Sequence, residues 1–107
     1  MSDAALCKAV AEMQQGLIDA DLGASIVKKR VPLPGRGKSG GARTLVATNR
    51  DDRWFFIFGF EKNERANISS KELQALQTIA ADLLKLTVKD LEVHVKTNAL
   101  QEICHES

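Results

Sequence analysis

The sequence predicts an α+β fold built on an antiparallel sheet, with residues 1–107 forming a single domain. Three observations carry that prediction. Leu6, Val10, Met13 and Leu17 recur at helical spacing near the start of the chain. Three segments of strand character follow between residues 25 and 60, parted by a Pro/Gly-rich loop and a short acidic turn. Two capping signatures, Ser69 with Glu72 and Thr87 with Asp90, then open two further helices.

Taken in order, Ser2 is a good N-cap for a helix over 2–15, with Asp3 in its favourable first turn and Gly16 to end it. Ser25 to Val31 reads as a strand with Val27 and Val31 on one face and Ile26, Lys28 and Arg30 on the other. Pro32 stops it. Ala42 to Asn49 is the second strand, and a tight turn around Asp51 and Asp52 joins it as a hairpin to the third, Arg53 to Phe60. The third is apolar almost without break, so it is expected to be central and covered on both faces. Leu73, Leu76, Ile79, Ala80, Leu83 and Leu84 give the helix over 70–86 a wide apolar face. This helix and the first are expected on one face of the sheet. A short helix through about Lys96 completes the order.

Composition excludes several classes. With 44% hydrophobic and 27% charged residues the chain is neither disordered, collagen-like nor coiled coil. No apolar run approaches the length that spans a membrane, and no basic-then-apolar leader pattern opens the chain, so a cytoplasmic protein is expected. Cys7 and Cys104 are expected as reduced thiols. Neither sits in a CxxC or Cys/His cluster, which argues against a structural zinc site.

The net charge of +1 conceals an asymmetry. Residues 1–27 carry −3 and residues 66–107 carry −2, whereas residues 28–65 carry +6. A basic middle on a nearly neutral chain points to a polyanionic partner. Within it, Gly35 to Gly41 reads Gly-Arg-Gly-Lys-Ser-Gly-Gly. The spacing fails the P-loop pattern and a strand follows instead of a helix, so nucleotide hydrolysis is rejected. A basic glycine-rich loop can still approach a nucleic-acid backbone closely. Lys62-Asn63-Glu64-Arg65 forms a second basic constellation directly after the third strand.

Four stretches together resemble the RelE/HigB-type toxins: residues 16–23, Val27 to Val31, Gly37 to Leu45, and Phe58 to Ser69. The resemblance covers about residues 2–103, and the last two stretches are its specific part. It implies a small twisted antiparallel sheet flanked by helices. It also implies a bacterial toxin of a type II toxin–antitoxin system that cleaves messenger RNA on the ribosome without a metal or other cofactor. A helix-turn-helix antitoxin would be its partner. Two departures stand out. The family's strand ahead of the opening helix is absent, so an unprotected sheet edge, and self-association through it, are expected. The aromatic residue, often tyrosine, that follows the Lys/Arg motif in better-known members is also absent, Ser69 falling near its place.

Metal-free RNA cleavage turns the 2′-hydroxyl against its neighbouring phosphate. It needs a base, positive charge for the phosphorane and an acid for the leaving 5′-oxygen. Arg43 is the first choice for the scissile phosphate, with Lys62 and Arg65 on the same phosphate or its neighbour. Lys28, Arg30 and Lys38 would line the RNA path, one of the lysines serving as base, and Trp54 is the aromatic residue expected to be exposed for stacking. His94, in the short last helix, reads as a surface or boundary residue, and His105 as an idle residue of the tail. Two further readings stand beside the enzyme: a binding module that holds RNA or ribosome without cutting, and a remnant that only occupies its antitoxin.

Overall fold

The computed structural model describes residues 3–33, 41–61 and 67–104. Helix α1 (Asp3–Gln14) leads into strands β1 (Ala20–Gly23), β2 (Ile26–Val31), β3 (Ala42–Thr48) and β4 (Trp54–Glu61), followed by α2 (Ser70–Lys85) and α3 (Val88–Lys96). The strands form one open antiparallel sheet in the order β1-β2-β3-β4. The α+β class holds.

The sheet has a strand more than expected. β1 pairs with β2 through a two-residue turn, Ala24 and Ser25, which lie at φ 49° and 68°. Positive φ at both central positions is the hairpin geometry usually announced by Asn-Gly or Asp-Gly. Here Ala-Ser adopts it, and β1 is too short to show a period.

The helices sit on opposite faces, not on one. Alternate residues of β2 and β3 explain why. Val27 and Val46 pack with Met13 and Val10 of α1, while Ile26, Leu45 and Ala47 pack with Leu76 and Ala80 of α2. Both faces of these strands are apolar at their centre, and each needs a cover. Ile26 and Val31 of β2 and Leu45, Val46 and Ala47 of β3 are fully buried, as befits the two inner strands. β4 is an edge strand and not central, and its apolar run is for the most part only half-buried.

The N-terminal ends of both later helices close reciprocally. Glu72 N–H donates to Ser69 Oγ at 3.2 Å and Ser69 N–H to Glu72 Oε1 at 3.1 Å. Thr87 and Asp90 repeat the box at 3.1 Å in each direction. Gly16, at φ 88°, ends α1, its N–H donating to the Met13 carbonyl.

The cysteines are paired, not reduced. Cys7 on α1 and Cys104 are disulfide-bonded across 97 positions of sequence, with Cα atoms 5.5 Å apart. Ala99 to Gln101 and Ile103 thereby line a cavity of about 410 Å³ together with Trp54 to Ile57 of β4. No helix among the described residues is long and apolar enough to cross a membrane.

Candidate nucleic-acid interface

The α2 face of the sheet changes character along β2 and β3. Residues paired directly across an antiparallel ladder share a face. Ile26 faces Ala47, Lys28 faces Leu45, and Arg30 faces Arg43. The first pair and Leu45 are sealed beneath α2, while Lys28 and Arg43 are half-buried and Arg30 is exposed. Lys28, Arg30 and Arg43 line one cleft with Asp19 and Ala20. On the β4 side Arg43 pairs with Phe60, which is buried and whose ring lies 6.0 Å from that of Phe58. The cleft therefore has a basic wall with one carboxylate, that of Asp19, beside it.

Like charges directly opposite each other on a sheet are destabilising. Arg30 and Arg43 are such a pair, with Arg30 exposed to solvent. Local contacts fix the surroundings. Asp19 bridges β1 to β2, its N–H donating to the Lys28 carbonyl at 2.9 Å and its carboxylate accepting the Arg30 N–H. Lys28 Nζ reaches Asn67 Oδ1 at 3.5 Å, and Arg43 donates to the Gly41 carbonyl at 3.5 Å.

Other basic residues of the middle segment are committed elsewhere. Lys29 points to the α1 face, where Nζ donates to the Leu17 carbonyl at 2.9 Å and pairs with Glu12 at 3.2 Å. Arg50 pairs with Asp21 at 2.8 Å, and Arg53 reaches the carbonyls of Leu83 and Leu84 at the end of α2. These are structural tasks.

Of the seven site residues expected from sequence, the structure thus brings three together: Lys28, Arg30 and Arg43. Lys38, Lys62 and Arg65 lie outside the described residues. Glu61, the residue before Lys62, pairs with Ala42, the residue before Arg43. Trp54 is not part of the cluster. It packs half-buried against Met13, Val27 and Val46 on the α1 face, near the other end of the sheet, with Nε1 donating to the Asp51 carbonyl. His94 belongs to α3, which contributes nothing to the cleft. Sequence reasoning missed Asp19, Gly41 and Asn67. Asp19 would have been found had β1 been recognised, since the register pairs its neighbour Ala20 with Lys28.

Comparison with curated proteins finds no match. The family model described as "RelE toxin of RelE / RelB toxin-antitoxin system" matches residues 1–103. On that match, which covers almost the whole chain and agrees with an α+β fold of helices on an antiparallel sheet, the chain belongs to the RelE toxin family.

Proposed function

We propose that this toxin cleaves messenger RNA on the ribosome, by metal-independent attack of a 2′-hydroxyl on the adjacent phosphate, and so inhibits translation in a bacterial cytoplasm. The observation that carries the reading is the facing of Arg30 and Arg43, with Lys28 beside them, in a cleft on the α2 side of the sheet. A phosphate between two guanidinium forks turns a repulsive pair into a favourable one. Arg43 takes the scissile phosphate, because its position between Arg30 and the Phe60 strand is the more enclosed. Arg30 and Lys28 track the adjoining backbone, joined by Lys38. Lys62 and Arg65 share the phosphorane charge, and one of the lysines takes the 2′-hydroxyl proton. Trp54, placed on the other face, has no part in this path. A helix-turn-helix antitoxin holds the toxin in check, and the edge strands β1 and β4 offer a route to self-association.

The test is controlled induction in growing bacteria. Growth arrest with cleaved messengers is the expected outcome, abolished by Arg43→Ala with antitoxin binding retained. Removal of one donor to a developing oxyanion costs about 10²–10³ in rate. Arrest without cleavage would replace the enzyme by a binding module. No effect at all would leave only occupation of the antitoxin.

A further inference from the structure

Gly41 is buried immediately before β3, and its φ lies outside the left-handed region. Conformational freedom does not explain a glycine here; space does. A Cβ at this position would stand 2.8 Å from the Val31 carbonyl oxygen and 3.0 Å from Arg30 Cγ. The aliphatic stem of Arg30 therefore passes over a bare α-carbon, in room that any side chain would take. The carbonyl of the same residue accepts the Arg43 guanidinium at 3.5 Å. One residue touches both members of the facing arginine pair.

We propose that Gly41 is a positioning residue for that pair, an inference that rests on the reading of the cleft as an RNA-phosphate site. The missing side chain sets the stem of Arg30, and the carbonyl sets the fork of Arg43. Both guanidinium groups are then held side by side before the phosphate arrives. Prior alignment matters because two like charges, left to themselves, turn apart, and each freed side chain must be re-ordered on binding. The Asp19 carboxylate fixes the backbone of Arg30 from the β1 side, so the stem is the part left for Gly41 to place. A methyl group at 41 cannot be absorbed by side-chain motion alone. Val31 pairs with Ala42 at the end of the ladder, and its carbonyl moves only with the backbone.

The experiment titrates the purified full chain with a short fluorescein-labelled oligouridine RNA over a salt series, well below the unfolding temperature. Gly41→Ala, Arg30→Ala, Arg43→Ala and Gly41→Ala combined with Arg30→Ala are compared. Gly41→Ala is expected to weaken binding about tenfold and to flatten the log–log salt slope by about 0.7, the signature of one lost single-strand phosphate contact. In the Arg30→Ala background the same substitution should cost less than about threefold, because its target is already gone. An unchanged slope, or an undiminished loss in that background, would assign Gly41 to the strand joint alone and overturn the proposal. Should Gly41→Ala fail to fold by circular dichroism, the clash with the Val31 carbonyl assigns Gly41 to the strand joint, and the proposal is overturned. Full binding by Arg30→Ala and Arg43→Ala would remove the RNA reading, and this proposal with it. Loss in the arginine variants with none in Gly41→Ala would remove the role of Gly41 alone.

Discussion

The two ends of the β2–β3 ladder share a face, a backbone geometry and a direction, yet they hold opposite chemistry. At one end Ile26 faces Ala47, fully buried beneath Leu76 and Ala80 of α2. At the other, four residues and about 13 Å along the same strands, Arg30 faces Arg43 in a cleft open to solvent. The alternation that puts Ile26 inward also puts Lys28 and Arg30 on that face. What separates a core from a site here is the reach of α2. A face of a strand becomes hydrophobic core only where an element covers it, and the uncovered remainder is held rigid by the covered part. The cleft thus gains a firm frame without spending its own side chains on packing.

The comparison is broken most sharply at the apolar end. Leu45→Ala removes a fully buried side chain shared by the sheet and α2. It should cost about 2–5 kcal/mol of stability by urea unfolding. The surviving folded fraction should bind RNA as before. A small cost, or a selective loss of binding, would mean that frame and site are not separable.

At the basic end the signs reverse. Arg43→Ala should lower messenger cleavage by about 10²–10³ while leaving stability unchanged or raised by up to about 1 kcal/mol, since a repulsive cross-strand pair is relieved. Single-turnover cleavage and a melting curve on the same sample decide it. A destabilised Arg43→Ala protein would place the arginine in the frame.

Lys28 and Lys29 repeat the contrast within one dipeptide. Lys29 is 9% exposed and tied to Glu12 and the Leu17 carbonyl, so Lys29→Ala should cost roughly 1 kcal/mol through the lost hydrogen bond and the lost packing of its stem. Lys28→Ala should stay within about 0.5 kcal/mol of the parent and instead flatten the salt dependence of RNA binding. Equal melting temperatures for the two variants would erase the distinction.

These contrasts also explain what the sequence disclosed. Ser69 with Glu72 and Thr87 with Asp90 are local signals, and both helices begin where they say. The alternation of Ile26, Lys28 and Arg30 is local too, so half of the cleft was legible. Which residue faces Arg30 was not, because register depends on the whole of the loop between the strands. Asp19 stayed hidden because Ala24 and Ser25 form a turn without the usual glycine or asparagine. The side taken by α1 was ambiguous, since Val27 and Ile26 make both faces of β2 apolar. The Cys7–Cys104 bond joins positions 97 apart, and only the folded chain brings them together.

The capping boxes supply the gentlest test, because the same device works on two helices of unequal support. α2 is seated on the sheet through Leu76 and Ala80, whereas α3 has no buried residue. α3 therefore leans more heavily on its cap. Hydrogen bonds from the Thr87 N–H, and then from its hydroxyl, hold the Asp90 carboxyl below the usual carboxylate range. A carboxyl depressed in the folded state contributes fully above its unfolded value, near pH 4, and loses that contribution as pH falls through the lower folded value. Acidification should accordingly fray residues 88–91 while residues 70–85 stay helical. The ¹³Cα secondary shifts, followed from about pH 6 to about pH 2.5, read both helices in one sample. Asp90→Asn should start with a weakened first turn at neutral pH and show little further change, because the titrating group is gone. Simultaneous loss of both helices, or a first turn of α3 that persists through the acid range, would show that its order comes from packing after all.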